Sequence, residues 1–383
     1  MTIKLASLSF VIPRSRNHIP RSQLFRCHLS ADVSTLGLKQ SFTGTSASSV
    51  TFRLKRKGAM KNTYLKMRHW IPVLWTASRP LTFVGTMMVC DLAACIVAMM
   101  FDSRQISGVN AWIKPAKFGL SSAVTCFSLA WIASCLADWP RIRDWSCRVF
   151  AVSIAIEIIV IDLQATRGTT SHFNMAGPMD RMAFITMGIS IGTLWLSMAA
   201  MTYALMRQKL KPISWAWALR LGLLLSVVGA AGGGFMLRQT PEQKQDSELK
   251  QFGSHTVGAP DGGPGLPVLN WNENHGDLRA AHFLGLHGVQ IIPLIGWWLL
   301  RKRQLTEFQR TRLIWLASGT YVSCFALLAW QALRGQPLLQ PDRETLVMAS
   351  LLVLFTATGS WISLSSTRFA GLKKWAAVLE VHS

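Results

Sequence analysis

Charge is scarce in this chain. Only 15% of its 383 residues are Asp, Glu, Lys or Arg, where a soluble domain carries roughly a quarter. Acids are the rarer half, 18 against 40 basic residues, for a net charge of +22. Catalytic signatures are scarce too. There is no CxxC pair, no CxxCH haem-attachment site, no HExxH and no Walker loop, and no nucleophile elbow accompanies the polar residues described below. The seven cysteines, Cys27, Cys90, Cys95, Cys126, Cys135, Cys147 and Cys324, avoid every segment expected outside a membrane, so no disulfide framework is implied.

Apolar length is abundant. Half of the residues are hydrophobic, with 16 Trp and 16 Met. They gather into eight blocks, at 80–101, 116–136, 149–164, 182–206, 217–237, 280–299, 313–333 and 345–366, near the length of about 20 residues that crosses a bilayer. The fold class that follows is an all-α polytopic transmembrane bundle of about eight spans. Residues 70–375 form the membrane domain, with a long outer loop at 238–279.

Placement of the basic residues argues against nucleic acid as a partner, because they lie in the tail and in alternate short connectors. Arg53, Lys55, Arg56, Lys57, Lys61, Lys66 and Arg68 precede the first span; Arg141, Arg143 and Arg148 follow the second; Arg207, Lys209 and Lys211 follow the fourth. Arg301, Lys302, Arg303, Arg310 and Arg312 follow the sixth, and Arg368, Lys373 and Lys374 the last. Positive connectors stay on the cytoplasmic side, so both termini are expected there. Residues 1–59 have one acid, Asp32, and no apolar period. They read as a disordered basic tail, as a transit peptide, or as an extension upstream of a true start at Met60 or Met67.

The long outer connector carries a turn-rich run, Gly258-Ala259-Pro260-Asp261-Gly262-Gly263-Pro264-Gly265-Leu266-Pro267, followed by Leu269 and Trp271. Its apolar members predict a lid lying on the bundle.

Ionisable groups inside a bilayer are costly to keep and are functional candidates by default. Glu157 is the costliest residue of the third span, and Gln164 follows two turns on, on the same face. His287 lies seven residues into the sixth span, so that both Glu157 and His287 sit roughly 10 Å below the outer boundary. They are expected to face one another. Gln290 shares the face of His287, whereas His282 is turned about 140° away. Around the mouth are Arg167, His172, Asn174, Asp277 and Arg279. Gly229 and Gly232 to Gly234 thin the outer half of the fifth span, and Pro293 is placed to kink the sixth. Bland readings stand beside these. Asp91 could simply pair with a neighbour, Lys114, Lys117, Arg167 and Arg279 could be snorkelling anchors, and His172 and His282 sit near water, where a histidine costs little.

At Trp112-Ile113-Lys114-Pro115, Gln164-Ala165-Thr166-Arg167-Gly168, Ser171-His172-Phe173-Asn174 and Gly276-Asp277-Leu278-Arg279-Ala280-Ala281-His282-Phe283, the chain resembles bacterial multi-pass membrane proteins of uncharacterised function. That resemblance spans about residues 70–370 and implies a bacterial inner membrane.

Three chemistries remain open. His172, His282 and His287 with Glu157 could hold a transition metal, or His287 with His172 or His282 a b-type haem. Glu157, Asp91 and the glycine-rich fifth span could form a proton-coupled carrier. Glu157 or His287 could be the general base of an intramembrane lipid-modifying hydrolase. The partners expected are the bilayer and a small-molecule or ion ligand; nothing points to an oligomeric state.

Overall fold

The computed structural model describes residues 70–246, 248 and 250–380, with side chains placed from 72 to 365. The basic tail at 1–59 lies outside the described residues. The chain is an all-α polytopic bundle. A short helix α1 (Trp70–Ala77) leads into α2 (Arg79–Phe101), α3 (Ile113–Ala133), α4 (Pro140–Thr166), α5 (Pro178–Arg207) and α6 (Ile213–Ala231), which runs on into a 3₁₀ turn at Gly232–Leu237. A five-residue helix α7 (Pro241–Gln245) stands in the long connector, and α8 (Leu278–Leu286), α9 (Gly288–Arg301), α10 (Glu307–Leu333) and α11 (Arg343–Glu380) complete the order. Seven segments are long and apolar enough to cross a membrane, and α8 with α9 make an eighth if the bent pair crosses as one.

Helix starts follow local chemistry. Ser78 caps α2, its hydroxyl accepting the Leu81 amide at 3.4 Å. Pro140 and Pro178 open α4 and α5, where a missing N–H costs nothing. Thr306 and Gln309 close a reciprocal capping box on α10.

The bundle has a tight centre and bare flanks. Trp215, Phe150, Leu129, Leu219 and Ile161 are fully buried, while α2 and α11 turn Phe83, Phe101, Leu354, Phe355 and Trp361 outward, as lipid-facing surfaces do. In lipid, apolar burial alone does not drive helices together, and close backbone approach through small residues does. The seam between α6 and the α8–α9 pair shows this. A Cβ on Gly229 would sit 2.2–2.5 Å from the backbone of Gly285, one on Gly222 2.9 Å from the Gly288 carbonyl, and one on Gly296 2.4 Å from Ala218.

The sixth span is not the continuous helix expected over 280–299. It bends by 47° where α8 meets α9, at His287 and not at Pro293. The cause is a side chain inserted into the backbone ladder. Ser226 of α6 donates its hydroxyl to the Leu286 carbonyl at 2.6 Å and accepts the Val289 amide at 2.7 Å. Pro293 instead lies inside α9, its ring against Gly222.

The connector at 238–277 folds back as a lid. Two-stranded pairing of Thr256–Val257 with Gly276–Asp277 closes its base. The Phe252 amide donates to the Phe173 carbonyl at 2.9 Å and the Met175 amide to the Lys250 carbonyl at 2.8 Å, which ties the lid to the segment between α4 and α5.

Candidate functional site

Glu157 is 1% exposed, in the middle of α4. Its nearest counterpart is His172, whose Nε2 lies 3.4 Å from Oε1, and neither carboxylate oxygen accepts a hydrogen bond from a described residue. The other ring nitrogen, Nδ1, is 3.2 Å from the Lys114 ammonium and 3.1 Å from the Ser171 hydroxyl. An ammonium only donates, so Nδ1 accepts. With Nδ1 accepting from Lys114, the hydrogen of the neutral ring is on Nε2, the nitrogen nearer Glu157, without a hydrogen bond to its carboxylate. Burial first, and then the nearby Lys114, His255 and His282, hold His172 well below the usual histidine range, so the ring is neutral at pH 7.

The backbone here is shaped to present these groups. Phe173 adopts a left-handed φ of 62°, rare for an aromatic residue and of the kind that persists where surrounding structure over-determines it. Its ring packs 4.8 Å from the His255 ring, and Gly253 at φ +96° leaves it room. His255 belongs to the lid. Burial pushes His255 below its usual range, against the pull of Asp261 at 3.1 Å. Burial also works against ionised Asp261, yet donors from His255, Ser254 and two backbone amides outweigh it and hold its carboxyl well below the carboxylate range.

The other predicted residues fall into separate groups. Gln164 and Arg167 converge on Asp180, with bonds of 2.9 and 2.7 Å, and also bond one another. Asn174 donates to Thr169 at 2.8 Å and pairs with Gln251 of the lid. Asp277 is buried, caps α8 through the Arg279 amide at 2.9 Å, accepts the Asn272 amide at 2.8 Å and pairs with the Arg279 guanidinium at 2.6 Å. Arg279 reaches on to the Asn270 carbonyl in the lid. His282 Nδ1 lies 3.1 Å from the Gly229 carbonyl. His287 Nδ1 lies 3.2 Å from Gln290 Oε1, and Gln290 donates to Ser128 of α3 at 3.3 Å.

The expected pairing of Glu157 with His287 is corrected by this arrangement, since His172 takes the place facing the carboxylate. Matched depth was not enough. α4 packs against α3 and α5, whereas α8 and α9 pack mainly on α6 and α10. Nor does the structure draw Glu157, His172, His282 and His287 into one ligand shell. Among the described residues, one group of metal-ligand atoms lies within 4.8 Å of one another: Asp91 and Cys95 of α2 with Asp162 of α4. Asp162 was missed from sequence. It stands five residues after Glu157, about 140° around the helix, and only the packing of α2 on that face shows its significance.

Chemically, the site reads in two ways. Ser171, His172 and Glu157 have the composition of a hydrolase triad, but Ser171 is 3% exposed and shares Nδ1 with an ammonium, so the ring is poorly placed as a base toward it. The spelling Gly188-Ile189-Ser190-Ile191-Gly192 also occurs. It lies inside α5 and lacks the strand-to-helix turn that makes this spelling a nucleophile elbow. The second reading is a proton path, from Lys114 through the His172 ring to Glu157. Compared with models of protein families, with curated proteins and with solved structures, the chain matches none.

Proposed function

We propose that this integral membrane protein is a proton-coupled carrier whose proton enters from the lid end through Lys114 and His172 and is held on Glu157. The observation that carries this reading is the fully buried Glu157 carboxylate facing the hydrogen-bearing nitrogen of His172 at 3.4 Å. A proton moves from Lys114 Nζ to Nδ1 while the Nε2 proton passes to Glu157 Oε1. The ring is left as the opposite tautomer, Lys114 as a neutral amine and Glu157 as a neutral acid. Reprotonation of Lys114 from water and tautomer exchange of the ring reset the path. The broken α8–α9 span supports a carrier, because discontinuous helices recur where transporters bind and gate. The basic connectors orient the lid end toward the outside. In proteoliposomes, an imposed proton gradient should drive solute flux in the intact protein, while Glu157→Gln should abolish the dependence on the gradient in folded protein. Equal gradient dependence in both would overturn the reading.

A metal-binding reading is favoured by one separate observation, the proximity of Asp91, Cys95 and Asp162. A thiolate with two carboxylates suits zinc better than an octahedral, all-oxygen cation. Elemental analysis of the purified protein tests it. Stoichiometric zinc that is lost in Cys95→Ser and Asp162→Asn and retained in Glu157→Gln would establish that site.

A further inference from the structure

The lid is fastened to the bundle by cations. Lys117 Nζ donates to the Leu269 carbonyl at 2.9 Å, and the Arg279 guanidinium donates to the carbonyl of the next residue, Asn270. Successive residues are about 3.8 Å apart, so the two cationic heads are drawn to one spot beneath the lid tip. Lys114 stands one helical turn before Lys117 at the start of α3, and the three positive groups lie near enough to repel one another. Arg279 is neutralised by Asp277. Lys114 and Lys117 are not: among the described residues their hydrogen-bond acceptors are an imidazole nitrogen and a peptide carbonyl, with no carboxylate in ion-pair range.

Two half-buried ammonium groups held by neutral acceptors form an arrangement that an anion improves, since charge-assisted bonds are roughly twice as strong as neutral ones. Gly262 and Gly263, at the start of the lid tip, take φ of 112° and 79°, and nothing lies within 4 Å of a Cβ built on either. The tip also makes the Trp271–Phe283 ring contact at 5.8 Å and a bond from Asn270 to the Ser107 carbonyl at 3.4 Å, and behind it the Asn272 amide donates to Asp277 at 2.8 Å.

From this geometry we infer that the solute carried is a small oxyanion, a carboxylate or phosphate, which binds Lys117 and Arg279 in place of the Leu269 and Asn270 carbonyls and so unfastens the lid. The identification of the solute rests on the carrier reading above; the anion site itself does not require it. An anion seated there lies beside Lys114, the entry of the proton path. Anion and proton would then be taken up at adjoining points, and their charges offset one another as they enter the bilayer.

The test is calorimetric titration of the full chain in phosphatidylcholine nanodiscs with benzoate, inorganic phosphate and neutral benzamide. At least one of the two anions should bind and benzamide should not. Lys117→Gln should weaken that anion about tenfold, the loss of one charge-assisted contact, while Lys117→Arg restores it; thermal melting confirms that each variant is folded. The titration is made without a proton gradient and reads the anion site alone, so failure of gradient-driven flux leaves this result standing. Binding of neither anion, equal binding of benzamide, or unchanged affinity in folded Lys117→Gln would overturn the proposal.

Discussion

Glu157 and Asp162 are two acids on one helix, five residues apart, with opposite surroundings. Glu157 looks toward the lid end, where a neutral histidine faces it and a lysine stands behind the histidine. Asp162 looks toward α2, where it meets another acid, Asp91, and the Cys95 thiol. One carboxylate is placed to receive a proton from a donor. The other lies against a second acid, where two ionised carboxylates would repel one another. Position along the helix does not distinguish them. Their neighbours on other helices do.

The contrast can be broken most directly by removing each charge in turn. Glu157→Gln should lower gradient-driven flux by about a thousandfold, within the usual span for loss of a proton-transfer group. Its melting temperature should stay level, because no hydrogen bond to the carboxylate is lost. Asp162→Asn should leave most flux intact and raise the melting temperature. If Asp162→Asn stops flux as completely as Glu157→Gln, the two acids belong to one pathway and the contrast fails.

Next in size is Asp277→Ala, which removes the α8 cap, the acceptor of the Asn272 amide and the counter-charge of Arg279 together. Breaking a buried pair costs about 3–5 kcal/mol, discounted here because Arg279 is partly exposed, so a loss of about 3 kcal/mol is expected. Chemical denaturation should show it, and the lid should become protease-sensitive while the inner ends of the helices remain protected. An unchanged lid would show that Lys117 and the ring contacts suffice to hold it.

Acid should act on the lid end before the rest of the bundle. Burial holds His172 and His255 below their ordinary range, so the unfolded chain binds more protons than the folded one as pH drops past about 6.5. Their contribution to stability is thus complete at neutral pH, is lost as pH falls through the ordinary histidine range, and levels off below the folded values. Asp102 and Asp261 act at lower pH. Hydrogen bonds from Arg104 and Trp112 hold Asp102 well below the carboxylate range, so its contribution is lost only under stronger acid. Melting curves between pH 7.5 and 5.5 should show the histidine step, and His255→Asn should shrink it.

The smallest effect lies far from both acids. Asp342 caps α11 by accepting the Thr345 amide at 2.9 Å, a bond that with burial and Arg334 in balance brings its carboxyl down to about 2. Asp342→Ala removes this cap and should lower the melting temperature slightly while leaving flux untouched. A change in flux would mean that α11 takes part in the carrier motion.

Much of the bundle was legible in sequence. Seven of the eight apolar blocks coincide with single helices long enough to cross, and the eighth, 280–299, with the bent α8–α9 pair, because a chain in lipid must satisfy its own backbone and only helices do so segment by segment. The lid was legible from Leu269 and Trp271 beside a run of Gly and Pro, and both residues make lid contacts, at Lys117 and Phe283. The site was legible in part. The sequence marks both Glu157 and His172, yet matched depth and the clustering of polar groups at one end point Glu157 to His287, whereas His172 faces it. The bend at His287 could not be read from 280–299, since its cause is Ser226, sixty residues earlier.

From the sequence alone came the class of molecule, the spans and the costly residues, because hydropathy and charge are properties of a segment in its solvent. Tertiary structure alone decided which costly residues meet. Each helix can turn any face toward any neighbour, and the rotation is set by contacts such as Gly229 on Gly285 and Ser226 at Leu286. That rotation puts Glu157 before His172, Asp162 before Asp91, and Lys117 beneath the carbonyl of Leu269.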